Sequence, residues 1–447
     1  MHRSFKFTPL VAALSLAAGL AQADTATLTG WAMMPAATFA DGPTSGQFAA
    51  PNPYGTNIGP WLNLQPVQGF SAVLAGANGS YHFLVDNGFG AQNYSADSLL
   101  RSYALLPVFK TASGGSGTVS AASWSTGAKQ SAFDAASRIT LSDPNHKLGY
   151  AIQADYTNYY NNAANPLVDA SIRSGRLLTG ADLDTEGMQK DKNGNLWFGD
   201  EFGPFLVKTS ASGVVLRSEI AMAGVQSPQN PYLNGATPTL GSSRGFEGLA
   251  INKSGDKLYT LLEGTVTGDP AKSLRFSEFS IDSEAYTGVQ FSYQLDALGT
   301  NIGDMVAVDD HRFIVIERNG ATDTGGGTPF KKLFLIDTTG VANGGTVKKT
   351  ELVDLMNIAD PNDLNGDGKT SFTFPYVTIE NVMVLDANTL LVVNDNNFPY
   401  GGGRALASDN TEFLKISLAS AVPEPATWAM WMAGLALGAA ALRRRRV

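Results

Sequence analysis

One pattern recurs along this chain and restricts its fold more than any other feature. IENVMVLDANTLLVVNDNNFP, residues 379–399, runs from a carboxylate through an apolar stretch, a polar turn and a second apolar stretch to another carboxylate. RGFEGLAINKSGDKLYTLLEG (244–264) repeats it with Glu247 and Glu263, and LDTEGMQKDKNGNLWFGDEFG (183–203) with Glu186 and Glu201. NIGDMVAVDDHRFIVIERNG (301–320) carries Asp304 and Glu317 in the same roles, and a fainter copy, residues 70–90, ends in Asp86. In the four clear copies the acids of a pair stand 15, 16, 13 and 15 residues apart in chain order. Five or six residues out, a turn, and the same length back return a chain to its starting level, so both acids of a pair belong to one end of one hairpin. The runs LLVV, LYTLL and FIVI do not alternate with polar residues, which predicts strands covered on both faces.

Two-sided hairpins at long, regular intervals predict an all-β chain folded as a β-propeller. The gap of about 115 residues between the faint copy and the next has room for a further hairpin, which predicts six blades, or seven. The innermost strand of each blade lines a central channel, so the repeated acids form a ring at one mouth.

A ring of like charges repels itself unless a cation is present, and carboxylates with asparagine and backbone oxygens suit calcium. The expected ligands are Glu186, Glu201, Glu247, Glu263, Asp304, Glu317, Glu380 and Asp395, with Asn394, Asn396, Asn397, Asn381 and Asn301 as candidates to fill the shell. The chain has no cysteine and few histidines, which disfavours zinc and copper sites. A second calcium candidate is DPNDLNGDGKTSFTF: Asp363, Asn365 and Asp367 alternate before Gly368, although Phe374 stands where an EF-hand loop requires glutamate. Arg244, Arg318 and Arg404 follow or precede the hairpin acids and could hold an anion bidentately or pair with those acids. Gly241 to Gly245 fits the G-x-S-x-G nucleophile pattern, but it leads into a strand of a glycine-rich chain, so Ser243 is read as a chance match.

The two ends speak of export. Residues 1–23 have a basic start, a short apolar core and an Ala-Gln-Ala end, the marks of a signal peptide. After Val422, the segment from Pro423 to Val447 joins Pro-Glu-Pro, seventeen apolar residues (426–442) that could span a membrane, and four arginines. It resembles the PEP-CTERM sorting signal. That resemblance implies a Gram-negative envelope, transient residence in the inner membrane, and removal of the tail by an exosortase on the way to the periplasm, surface or matrix; a permanent anchor is the alternative. Between the ends lies one domain, residues 24–422. Without the six basic residues of the two ends, 25 of the 31 Lys and Arg face 39 or 40 Asp and Glu. So acidic a surface excludes nucleic acid as a partner.

The stretches RLLTGADLDTEGM, WFGDEFGPFLVK, RGFEGLAI, FIVIERNG and PYVTIENVMVLDANTLLVVNDNNFP resemble the phytase-like family named for esterase-like activity of phytase. They run from Arg176 to about Arg404. The resemblance implies a secreted β-propeller with metal-assisted phosphoesterase or esterase activity. Glu247 and Glu380 would then be ligands or the general base, and Arg244 and Arg318 would hold an anionic substrate such as a phosphate ester. No lysine-rich cluster is present to hold phytate itself. A calcium-dependent lactonase or carboxylesterase, and a non-catalytic envelope or matrix protein, are the other readings.

Overall fold

The computed structural model describes residues 26–418 apart from 53, 56, 57 and 408. Almost all regular structure is strand; the one α-helix among the described residues is the six-residue Ala170–Gly175. All five hairpins expected from the sequence form, and each grows outward into an antiparallel unit. The first contains Phe70–Ala75, Tyr81–Val85, Arg101–Val108 and Thr118–Ala121. The second, third and fourth open with Thr185–Lys190, Phe246–Ile251 and Asn301–Ala307, each the first strand of a separate four-stranded sheet. The fifth takes Ile379–Asp386, Thr389–Asn394 and Thr411–Ser417 from the C-terminal part of the chain, and its last strand, Thr27–Met34, from the N-terminal part.

The first strands of successive units touch one another in a closed cycle, with the fifth returning to the first. The core follows the same cycle. One hydrophobic cluster joins the first unit to the second (Leu84, Phe198), one the second to the third (Trp197, Leu258) and one the third to the fourth (Phe276, Phe313). Two more join the fourth to the fifth (Ile314, Leu390) and the fifth to the first (Phe413, Phe83). Five interfaces thus close a propeller-like ring of five units among the described residues. The expected count of six or seven is corrected for a physical reason. The long gap after the first unit holds outer strands and then a loop of short turns over residues 142–182, whose Ile152, Tyr159, Ile172 and Leu178 cover the first interface without adding a hairpin.

Burial explains why the apolar runs lacked alternation. Every residue of Leu196–Asp200 is buried, as are all but the first of Arg312–Arg318 and Thr389–Asn394, because each second strand lies between two neighbouring units. Outermost strands such as Ala285–Gln294 are only partly covered, with one buried residue in ten, as befits a sheet edge.

The strand Thr27–Met34 pairs antiparallel with Thr411–Ser417, Trp31 opposite Leu414, and so ties the two ends of the described chain into one sheet. Leu28 on this strand is fully buried in the cluster between the fourth and fifth units. Leu28→Ala is therefore expected to lower unfolding stability in urea by about 2–5 kcal/mol, the usual cost of a cavity at a buried leucine. A loss below about 1 kcal/mol would show that this strand is peripheral to the ring.

Candidate metal and active site

A shared backbone irregularity builds the site. In every unit the pairing register of the first strand slips by one residue near one end. The skipped residues are Ser71, Glu186, Glu247, Gly303 and Glu380. A bulge of this kind re-aims one side chain out of the pleat. Asp86, Glu201, Glu263 and Asp395 stand immediately beyond the paired end of their second strands, and Arg318 is the last paired residue of its own, opposite Asn301. The two positions are 15 residues apart in four units and 16 in the third. Ten positions therefore converge where the five first strands meet, and seven of them are acids.

This geometry brings together Glu186, Glu201, Glu247, Glu263, Glu380 and Asp395, with Arg244 and Arg318, as the sequence suggested. It corrects the fourth repeat by one residue at each end. Asp304 and Glu317 neighbour the converging positions, and successive strand residues face opposite ways. Asp304 accepts hydrogen bonds from the backbone N–H of Val382 (2.8 Å) and of Met305 (2.7 Å). Glu317 accepts from Tyr293 Oη (2.5 Å), Asp296 N–H (2.6 Å) and Lys349 within its own unit. Gly303 takes the bulge position instead: a Cβ there would lie 1.9 Å from the Ile379 carbonyl oxygen and 3.3 Å from Arg318 Nε. The fourth unit contributes a guanidinium where the others contribute acids.

Other expected ligands stand apart. Asn394 holds the second and third strands of its unit together, donating to the Asn410 carbonyl and accepting from Glu412 N–H. Asp363, Asn365 and Asp367 accept from the N–H groups of Gly368, Asp367 and Lys369, so these side chains shape their own loop and do not gather into a carboxylate cluster. Arg404 pairs with Glu412. Asn301, one of the asparagines expected to fill the shell, donates through Nδ2 to Glu263 Oε1 (2.5 Å). Two participants escaped the sequence reading: Ser71 donates to Glu380 Oε2 (3.2 Å), and Asp184 joins Glu186 and Glu201. Keeping the 15-residue spacing in preference to the acids would have located Ser71, Gly303 and Arg318; nothing in the repeat pointed to Asp184.

Two groups of acids place carboxylate oxygens within 4.8 Å of one another: Asp184, Glu186 and Glu201, and then Glu201, Glu247 and Glu263. All five are buried. Arg318 sits on the far side of the second group, where Nη2 donates to Glu380 (2.8 Å), Glu247 (3.2 Å) and Glu263 (3.5 Å). Arg244 donates to Glu263 at 2.5 Å. Its side chain is 40% exposed, against 7% for Arg318, so only Arg244 can meet a ligand arriving from solvent. On the side away from Arg318, Asp184 Oδ1, Glu186 Oε2 and Glu201 Oε1 are buried with no hydrogen-bond partner. Buried acceptors are rarely left so in a folded protein.

The electrostatics follow from crowding. Burial, reinforced by Asp184, Glu247 and Glu380, pushes Glu186 well above the carboxylate range. Burial pushes Glu247 and Glu201 up in the same way, with Glu263 adding to both. Glu380 rises to about 8 through burial, although Arg318 opposes it, and Asp395 rises to about 6. Ser243, the hydroxyl of the G-x-S-x-G match, lies beside Asp184 and tempers the rise that burial gives that acid.

A family model described as "Phytase-like: Esterase-like activity of phytase" matches residues 65–398. The chain belongs to this phytase-like family. A PEP-CTERM protein-sorting motif matches residues 421–446, the mark of a protein exported by Gram-negative bacteria. The 426–442 segment, like the signal-peptide segment, lies outside the described residues, among which no helix is long and apolar enough to cross a membrane. A secreted protein of Arthroderma benhamiae is 24% identical over 169 residues, 31% of this chain; the match spans about a third (32%) of that relative's length. Among solved structures, a luciferin-regenerating enzyme is similar at a TM-score of 0.33 and 11% identity, over 80% of this chain and 96% of that one. An exo-β-1,3-galactanase from Phanerochaete chrysosporium is similar at 0.36 and 8%, over 84% and 64%.

Two expectations follow for this phytase-like protein. Acids that are harder to ionise when folded stabilise the protein while protonated. That benefit is complete below their ordinary range, near 4.5 for glutamate, and is lost as pH rises through the folded value, about 8 for Glu380. With a chelator present, the melting temperature should fall between pH 5 and pH 8, and added calcium should flatten the fall. A melting temperature that is level or rises with pH in chelator would overturn this account. Separately, Arg318→Met leaves three buried acids without their shared partner and should cost about 3–5 kcal/mol at pH 8, and less at pH 5. Equal losses at the two pH values, read by urea unfolding, would mean that Arg318 acts by packing alone.

Proposed function

We propose that this exported phytase-like protein is a calcium-dependent ester hydrolase, acting first on phosphate esters, with its chemistry at the converging acids. The observation that carries the proposal is the trio of buried, unpartnered oxygens on Asp184, Glu186 and Glu201 beside an arginine already held by the other acids. Oxygen donors without thiol or imidazole fit a hard cation, and flexible carboxylates fit calcium better than a rigid octahedral ion. Calcium, when bound, would supply Lewis-acid polarisation of the ester's phosphoryl or carbonyl oxygen.

The chain's own residues divide the remaining work. Asp184, Glu186 and Glu201 would hold the ion, with Glu247 and Glu263 on its other side. Arg318 fixes the carboxylates of Glu247, Glu263 and Glu380 and is a positioning residue, which revises the expectation that it grips substrate. Arg244 makes one bond to Glu263, and its other guanidinium donors are without protein partners among the described residues, so it can orient an incoming anion. Glu380, at about 8, is able to hold or release a proton near neutral pH, as a general base or acid requires. A single partly exposed arginine suits one anionic group at a time. Removal of the tail by an exosortase, after passage through the inner membrane, belongs to the same proposal.

The test uses the chain from Asp24 to Val422 with p-nitrophenyl phosphate, in calcium and then in chelator. Calcium-dependent turnover is expected, and Glu201→Gln should lower it by roughly a hundredfold or more, in line with removal of a main electrostatic group. Turnover that ignores both calcium and Glu201→Gln would defeat the proposal. Hydrolysis of lactones without phosphate release would assign the protein to the lactonase class. Calcium-raised melting without turnover on either substrate would leave the acids a stabilising role only.

A further inference from the structure

A cavity of about 350 Å³ lies beside the acid cluster, near the lower end of the roughly 300–1,000 Å³ of small-molecule sites. The loop over residues 142–182 that replaces a sixth unit supplies most of its wall. Tyr150, Tyr156 and Tyr160 line it together with Gln92, Gln153 and Gln229. It reaches the cluster by two routes. Asp182, which lines it, is two residues from Asp184, and Gln229 Nε2 donates to Ser243 Oγ (3.5 Å), whose hydroxyl lies beside Asp184.

Its chemistry differs from that of the cluster. Among the described residues lining it there is no lysine, arginine or histidine, so nothing there compensates a phosphate. The one acid, Asp182, is already satisfied: it accepts from Gln153 N–H (2.6 Å), Thr179 N–H (2.8 Å) and Thr179 Oγ1 (3.0 Å). What remains for a ligand is neutral. Gln229 Oε1 is buried without a partner, and Tyr156 Oη, which lines the cavity, makes no hydrogen bond among the described residues. Tyr160 and Asn161 hold left-handed φ values of 50° and 46°, a strained setting for a tyrosine. Strain of this kind is retained where a ligand is clamped.

Aromatic faces with a free amide oxygen and a free phenol hydroxyl, and no cationic group, match a ring that has C–H faces and hydroxyl edges. Resting on the hydrolase reading above, we infer that this pocket binds a neutral sugar or cyclic-polyol moiety of the substrate, whose ester group then lies over the acid cluster. A polyphosphorylated ring does not fit this wall, because its second and third phosphates would face tyrosine and uncompensated amide. The family reading of the acids therefore holds for one ester group, while specificity comes from an uncharged neighbour.

The test separates binding from turnover. Glucose, galactose, cellobiose, maltose and myo-inositol are titrated into the chain from Asp24 to Val422 by ligand-observed NMR, with myo-inositol hexakisphosphate as the polyanion. At least one neutral ligand should bind at millimolar concentration or better with chelator present. Tyr156→Ala and Tyr160→Ala, both at partly exposed positions, should each weaken it by about tenfold, a typical loss for one aromatic contact. Glu201→Gln should leave this binding unchanged even though it removes turnover, so a failure of the hydrolase reading would be seen independently. The inference is overturned if no neutral ligand of the panel binds, if the tyrosine variants bind as well as the parent, or if the hexakisphosphate competes for the same tyrosine-dependent site.

Discussion

The convergence of like charges at the centre of the ring is the constraint on which the rest of the structure depends. Seven acids from ten converging positions, joined by Asp184, occupy space from which water is largely excluded. Carboxylates so placed stay protonated or acquire a counter-charge. The fold uses one buried cation, Arg318, and places it asymmetrically, against Glu247, Glu263 and Glu380. On the opposite side, Asp184, Glu186 and Glu201 make no ion pair among the described residues. Its unpartnered oxygens are the local consequence of that asymmetry.

Such a centre needs a scaffold whose stability comes from elsewhere. The five hydrophobic clusters lie between units, with none at the axis. Each second strand is buried on both faces by neighbouring units, and the N-terminal strand closes the fifth sheet against Thr411–Ser417. Side chains on the first strands are thus held from the flanks while their bulged ends are free to carry charge. The bulges matter because strict alternation would turn Glu186, Glu247 and Glu380 into the strand faces, where apolar residues of the adjacent units sit.

Much of this was legible in the sequence, and its failures are informative. The five hairpins, their two-sided burial and six of the converging acids follow from a repeat of apolar runs between acids. The ring size did not, because chain length between hairpins measures what could fit and not what forms: residues 142–182 became a loop that walls a pocket. The fourth repeat was misaligned because chemical likeness was matched ahead of spacing. Asp304 and Glu317 preserve the acidic character and lose the position, whereas Gly303 and Arg318 preserve the position and reverse the character. Asp184 belongs to no repeated position, and the tyrosine pocket is assembled from a segment with no periodicity at all, so neither leaves a pattern to read.

The exception in the fourth unit accounts for the chemistry of the whole. An acid at position 318 would add a further negative charge to Glu247, Glu263 and Glu380, and a side chain at position 303 would collide with the Ile379 carbonyl. Glycine there opens the space beside which the guanidinium lies, and the guanidinium neutralises one side without a diffusible ion. Under the proposed function a mobile cation would be held on the other side, toward Asp184, which is also the side that the Gln229–Ser243 contact joins to the tyrosine pocket. One departure from the repeat thereby breaks the symmetry of a five-fold arrangement and leaves the unpartnered carboxylate oxygens on one side of it.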